Sequence, residues 1–343
     1  MIRFVREKIQ VPLHLPEGIT ALVDVELRRD PLCGEQCRIT PRRPSTRLKG
    51  HRTGSSEAGP PVESSPCPLC PAAVKDSTPR LDPAIFAEER LRRGEAVLFP
   101  NLYPYGRWSA VVALTHAHWV ALDEYSARQY ADGLGVAIEY AKALIEAGHG
   151  PWVSITQNHL PTAGATLLHP HLQVHVDERP NNFFARVSAA AARHRERENE
   201  DYFEALLAAE RGGDRWIAES DRVAWLSPFA PRGFFEFWAL LPSERSLFGL
   251  TAGELDALSQ ELCSSFAFYR RLGWDAFNLA LCTHEAPESD LPVWLRVVLR
   301  GRFSSHARSD VSFHEKLLEE MSMSISPEEY TRLYRGFRDG NPR

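Results

Sequence analysis

The chain has 343 residues, 43% hydrophobic, 25% charged and 10% aromatic, a globular composition long enough for two modules of roughly 150 residues. Forty Lys and Arg against 45 Asp and Glu leave a net charge of −5, which excludes a nucleic-acid binder that works through a broad basic surface. Six cysteines are too few for a secreted disulfide scaffold, the opening MIRFVREKIQVPLHLP lacks the apolar core of a signal peptide, and no run of about 18 apolar residues offers a membrane span. A cytoplasmic protein is expected, with neither membrane nor nucleic acid as partner.

In chain order, an extended opening runs to about residue 40, and alternation over residues 19–27 predicts a strand within it. Over residues 40–66, Pro, Ser, Gly and Arg leave too little apolar surface to order the segment by packing, which predicts a long mobile loop. Structure should resume at Cys67-Pro-Leu-Cys70. Residues 96–103 and 109–114 read as extended. Residues 126–147 place Tyr130, Leu134, Ile138, Ala141 and Ile145 at spacings of three and four, the mark of an amphipathic helix. Extended runs follow at 152–157 and 167–176, and the charged stretch 193–215 reads as a solvated connecting helix. Residues 234–241 predict a strand. A second helix over 251–271 carries Leu255, Leu258, Leu262, Phe266 and Tyr269, with Thr251 and Glu254 as a capping box. Strands at 277–282 and 293–299 complete the series. The order strand, connector, helix, strand, loop, strand thus occurs twice, which predicts two copies of one α+β unit.

The densest chemical signal is His169-Pro-His-Leu-Gln-Val-His175. On a strand, alternate residues share a face, so His169, His171, Gln173 and His175 would point one way. Aligned imidazoles make a poor apolar stripe but a good nucleophile, base or metal ligand. Cys67 and Cys70 have the spacing of two ligands to one tetrahedral ion; on spacing alone His116, His118 and His169 are candidates to complete it, and a redox pair is the rival reading. Asn158 and Ala163-Gly-Ala-Thr166 precede the histidine run, where small residues admit a phosphate to the backbone and a Thr hydroxyl can donate to it. Arg28, Arg29, Arg38, Arg42 and Arg43 could add positive charge for such a ligand.

These pieces together resemble the galactose-1-phosphate uridylyltransferase branch of the histidine-triad superfamily. The resemblance runs through Arg29-Asp-Pro-Leu-Cys-Gly-Glu35, Pro41-Arg-Arg-Pro44, Cys67-Pro-Leu-Cys70 and Phe99-Pro-Asn-Leu-Tyr103. It continues in Val112-Ala-Leu-Thr-His-Ala-His118, Gly164-Ala-Thr-Leu-Leu-His-Pro-His-Leu-Gln173 and Pro228-Phe-Ala-Pro-Arg-Gly-Phe-Phe-Glu236. It implies an α+β fold of two tandem histidine-triad-like domains, each an antiparallel sheet with packed helices. Residues 1–178 would form the catalytic domain with the zinc site, and residues 179–343 a second domain lacking the histidine pair. The implied reaction passes an NMP group, UMP foremost, from a nucleotide sugar to a sugar 1-phosphate or similar acceptor. His171 would be the nucleophile and Gln173 the donor to phosphoryl oxygens. Arg29, Arg43, Asn101, Asn158 and Thr166 would bind substrate, Thr166 standing where the family usually has a Ser. Cys67, Cys70, His118 and His169 match four ligands of one structural Zn2+, which prefers His118 over His116. A homodimer is expected.

Departures accompany the match. Trp294-Leu-Arg296 stands where relatives carry a His-x-His pair, so a second metal site is not expected. Leu102 replaces a polar position beside Asn101. Phe313-His-Glu-Lys-Leu-Leu-Glu-Glu-Met-Ser322 does not reproduce the family's acceptor-facing segment. Two rival functions follow: a phosphorylase or hydrolase of nucleotide sugars or dinucleoside polyphosphates, and a non-catalytic nucleotide-binding paralogue.

Overall fold

The structure, a computed structural model, describes residues 2–14, 20–40, 66–242, 245–301 and 310–340. The loop expected over 40–66 lies outside the described residues apart from its two end positions, and so do Arg42 and Arg43.

The chain opens with β1 (Val5–His14), β2 (Thr20–Arg29) and β3 (Gln36–Ile39), then a short α1 (Val74–Ser77). A first unit follows: β4 (Leu91–Arg93), β5 (Ala96–Pro100), β6 (Trp108–Ala113), α2 (Ala127–Glu146), β7 (Trp152–His159) and β8 (His171–Asp177). After α3 (Asn182–Glu198) and α4 (Tyr202–Glu210), a second unit repeats the plan. It comprises β9 (Trp216–Ser220), β10 (Val223–Leu226), β11 (Phe234–Leu241), α5 (Ala252–Arg271), β12 (Ala276–His284) and β13 (Val293–Arg300). The chain closes with α6 (Phe313–Leu317), β14 (Met321–Met323) and α7 (Pro327–Arg338).

Ten strands form one sheet in the order β4-β5-β6-β8-β7-β12-β13-β11-β10-β9. Read outward from the centre, the order is β7-β8-β6-β5-β4 on one side and β12-β13-β11-β10-β9 on the other. The order on one side thus mirrors the order on the other, with β7 and β12 meeting at the centre, and the duplication read from the sequence becomes a palindrome of antiparallel pairs. The central seam is long, with β7 and β12 paired from Trp152↔His284 to His159↔Phe277. The α+β fold with two copies of one unit is therefore present. A second sheet, β1-β2-β3-β14, joins the two ends of the chain through the parallel pairing of β3 with β14.

Strict alternation gives the large sheet two different faces. Val153 and Ile155, Leu172 and Val174, Leu279 and Leu281, and Leu295 and Val297 all bury on the face covered by α2 and α5. Each such side chain contributes about 1.5–3 kcal/mol by leaving water. Both helices start on capping boxes: Ser126 Oγ accepts from Gln129 N at 3.2 Å, and Thr251 Oγ1 from Glu254 N at 3.2 Å. Gly133 lets α2 approach the sheet, because a Cβ there would meet Leu114 Cδ2 at 2.1 Å.

Two expectations change. The run 167–176 is not one strand: β8 begins at His171, after Pro170, which has no N–H to give a ladder. His169 therefore lies outside the alternating face, for which the sequence had offered it. Nor is 193–215 a single solvated helix. The chain breaks at Asn199, in the left-handed region at φ 53°, and Asp201 caps a new helix by accepting from Glu204 N at 2.9 Å. Both helices bury Phe184, Val187, Tyr202, Phe203 and Leu206 on the other face of the second unit, against Leu226, Trp238, Leu240 and Trp294. No helix among the described residues is long and apolar enough to cross a membrane.

Candidate active site

The face of the sheet opposite α2 and α5 carries the polar residues of the central strands. On β8 these are His171, Gln173 and His175, while their neighbours Leu172, Val174 and Val176 enter the core. Gln173 pairs with Val111 of β6 on one side and Thr156 of β7 on the other. The row continues from Thr156 to Ala280 and then Arg296, so Gln173 and Arg296 occupy matching places in the two units.

His171 is 6% exposed. Its Nδ1 lies 2.8 Å from the carbonyl oxygen of His169. A carbonyl only accepts, so Nδ1 carries the proton and donates it, leaving the lone pair on Nε2. Burial holds the His171 ring below the usual histidine pKa, against the opposing pull of that carbonyl. The result is a neutral imidazole of fixed tautomer on the open face. His175, two positions beyond Gln173, meets the edge of the Tyr105 ring at 5.7 Å.

His169 turns away from this face. Its Nε2 donates to Thr115 O at 2.8 Å, which leaves Nδ1 as the lone-pair nitrogen, 3.7 Å from Cys70 Sγ. His118 Nδ1 lies 3.5 Å from the same sulfur, and the ligand atoms of Cys67, Cys70, His118 and His169 all fall within 4.8 Å of one another. With zinc bonds of about 2.3 Å to sulfur and 2.0–2.1 Å to nitrogen, the sulfur–nitrogen edge of a tetrahedron is about 3.6 Å. The two measured edges fit that figure. Burial pushes the Cys67 thiol up to about 11, Cys70 adding to the effect, so a cation beside its sulfur is what would let Cys67 ionise. The residues thus suit one Zn2+. His116 stays outside the cluster, where its backbone N donates to Glu95 Oε2 at 2.9 Å. All six cysteines are free thiols.

The residues expected at a phosphate or nucleotide are differently placed. Asn101, just past β5, accepts from Tyr103 N at 3.0 Å through Oδ1 and donates to Ser109 Oγ at 3.4 Å. Thr166 is exposed in the connection to β8. Asn158 is exposed on β7, two residues past the partner of Gln173, so the register brings it alongside His171. Arg29 is exposed at the end of β2.

Arg28 and Arg38, by contrast, are not available as loose charge. Arg28 is 1% exposed; its Nη1 and Nη2 donate to Glu328 at 2.9 and 2.8 Å, its Nε to Glu26, and Nη1 also reaches Phe229 O. Arg38 pairs with Glu320. The sequence showed a row of arginines, but the carboxylates that neutralise Arg28 and Arg38 include Glu328 and Glu320, some 300 and 282 positions away.

Two groups of the second unit were not foreseen as part of this face. At the place matching Gln173, Arg296 gives Nε and Nη2 to Glu236 Oε1 at 2.8 and 2.6 Å and lies over the Phe183 ring at 4.6 Å. Trp294 packs edge-on to Trp238 at 4.7 Å. Glu236, wholly buried, also accepts from Trp238 Nε1 at 2.7 Å and from Arg232 N at 2.6 Å. Nearer the seam, Asn278 Nδ2 donates to Asn158 Oδ1 at 2.6 Å and to Ala163 O at 2.9 Å. Its alternation within AFNLALCTH was the available signal, a polar residue on the face away from the core.

No family model matches the chain. An uncharacterized protein of Archaeoglobus fulgidus is 30% identical over 330 residues, which cover 96% of this chain and 97% of the relative. Among solved structures, an ADP-glucose phosphorylase from Arabidopsis thaliana with bound ADP-glucose superposes with a TM-score of 0.67 at 19% identity, covering 91% of this chain and 98% of that one. A uridylyltransferase does so with a TM-score of 0.68 at 17% identity, covering 92% and 99%. The chain belongs to one family with the Archaeoglobus protein, and its fold is that of the uridylyltransferase and ADP-glucose phosphorylase structures.

Proposed function

We propose that the protein is a nucleotidyltransferase that moves an NMP group, UMP foremost, from a nucleotide sugar to a sugar 1-phosphate or similar phosphate acceptor through His171. The observation that carries this reading is the bond from His171 Nδ1 to the His169 carbonyl, which leaves Nε2 as an unprotonated nucleophile on the open face. Attack of Nε2 on the α-phosphorus forms a P–N bond and breaks the bond to the bridging oxygen, so the sugar 1-phosphate leaves with that electron pair. The ring then carries positive charge, which the His169 carbonyl stabilises. An oxygen of the acceptor phosphate attacks the same phosphorus from solvent, and the P–N pair returns to Nε2.

In this reading Gln173, on the same face, donates to the phosphoryl oxygens. Asn158, Thr166 and Asn101 contact the nucleotide, and Arg29 and Arg43 supply positive charge. A homodimer, with the chain divided into units at 178/179, accords with the reading. Zn2+, when bound by Cys67, Cys70, His118 and His169, supplies a structural cross-link. His169 ties that cluster to the nucleophile through its own carbonyl, so the ligand and the orienting group belong to one residue.

The test is incubation with UDP-, ADP- and GDP-sugars followed by mass spectrometry, which should find one nucleotidyl adduct on His171 and none in His171→Ala. Absence of an adduct across all three bases would refute the reading. A second function is kept by the altered second unit and by the likeness to an ADP-glucose phosphorylase: the same adduct discharged by inorganic phosphate, with ADP released from an AMP adduct. Adding phosphate or a sugar 1-phosphate to the isolated adduct separates the two.

A further inference from the structure

Asn278 is held between two groups of opposite kind. Arg300 donates through Nη1 to Asn278 Oδ1, and Arg300 is itself clamped by Asp310, whose oxygens accept from Nε and Nη2 at 2.6 to 3.0 Å. A guanidinium only donates, so the Asn278 oxygen must face Arg300. On its other side Asn278 meets Ala163 O at 2.9 Å, and a carbonyl only accepts, so the amino group must face that way. The two constraints agree and leave one orientation. The same amino group reaches Asn158 at 2.6 Å, which forces Asn158 to present its oxygen to Asn278. The Asn158 amino group then has to point outward, over Gly164, whose added Cβ would lie 3.7 Å from Asn158 Nδ2.

We propose that Asp310, Arg300 and Asn278 of the second unit are positioning residues that fix the polarity of Asn158, so that the face beside His171 offers an N–H donor and selects an oxygen-rich, anionic ligand such as a phosphoryl group. The inference rests on the proposed nucleotidyl transfer for its substrate class, while the orientation itself stands on hydrogen bonding alone. It also gives the second unit a part in the chemistry of the first, across the β7–β12 seam.

Asn278→Asp separates this role from a merely structural one. The carboxylate still accepts from Arg300 but cannot donate, so Asn158 must reverse and show its oxygen to the ligand. Side-chain amide exchange by 15N NMR should find Asn278 protected and Asn158 fast in the native protein, and Asn158 protected in Asn278→Asp. Calorimetry with ADP-glucose and UDP-glucose should show dissociation constants raised about 10- to 100-fold, the scale of an unpaired polar contact. Because Asn278 acts through Asn158, adding Asn278→Asp to Asn158→Ala should weaken binding no further, and Arg300→Lys, which keeps a donor, should restore most of the affinity lost in Arg300→Met. Fast exchange of the native Asn278 amide, or losses that add in the double variant, would overturn the proposal. Where no nucleotidyl adduct forms on His171, the transferase reading fails separately, and the amide exchange still decides the orientation.

Discussion

Replacing Arg296 by Met exposes how the second unit holds itself together without a histidine pair. Glu236 is wholly buried and receives four hydrogen bonds, two of them from Arg296; Trp238 Nε1 and Arg232 N supply the others. Met fills the stem volume and keeps contact with Phe183, so the main change is an uncompensated carboxylate. Breaking a buried pair from one side costs about 3–5 kcal/mol. Because the Arg296 side chain is 19% exposed and two donors remain on Glu236, the low end, about 3 kcal/mol, is expected. The unfolding entropy of a chain of this length is about 0.7 kcal/mol/K near 60 °C, so the melting temperature should fall by about 4 °C. Urea titration and calorimetry of Arg296→Met, Glu236→Gln and the double variant give the coupling directly. The double variant should be more stable than Arg296→Met by about 1–2 kcal/mol, since its side chain at 236 no longer carries a charge. A single variant within about 0.5 kcal/mol of the native protein, or a double variant whose losses simply add, would refute the reasoning.

Cys67→Ala should reduce bound zinc from one per chain to none, measured by elemental analysis. At metal concentrations about 1,000-fold above the dissociation constant, the lost linkage is about 4 kcal/mol, and full zinc retention would sink the assignment. An acid titration of stability should separate Glu328→Gln from the native protein. Burial alone would raise the Glu328 carboxyl, but its bonds to Arg28 and Arg215 bring it down to about 2. A depressed folded-state pKa means that its stabilisation is present above about pH 4.5, the ordinary carboxylate value, and is lost as pH falls through about 2. The difference between the two proteins in urea midpoint should therefore shrink over that window and stay constant above it.

The elements that a reader of the sequence recovers are those with strong periodicity. Both long helices lie within one residue of residues 126–147 and 251–271, because their apolar spacing and capping boxes are local signals. The four cluster residues Cys67, Cys70, His118 and His169 converge although the spacing rule left His116 equally open; only the turn of the chain after β6 separates the two histidines. His169 was misplaced on the strand because the alternation pattern does not register that Pro170 ends the ladder. The helices α3 and α4 were underread because their charged residues mask an apolar stripe that begins earlier, at Phe184. Long-range polar pairing was the least legible. Neither Arg28 with Glu328 nor Asn278 with Asn158 leaves any mark in the local sequence. Such partners are set by the pairing of strands and not by neighbours in the chain.

The palindromic order of the large sheet bears on how such a chain could arise and fold. Severed between the units, β7 would become an open edge eight residues long, a template for further strand pairing. Two identical half-length chains meeting edge to edge through that strand, about a two-fold axis, would close it and reproduce the β7–β12 seam. Fusion of such a pair frees each copy to diverge, so the first can keep His171 and Gln173 while the second carries Arg296 at the place that matches Gln173. It also ties their stabilities together. An opening of either half uncovers the edge of the other, so the central strands should exchange their amide protons only in global unfolding, and the outermost strands, β4 and β9, well before them.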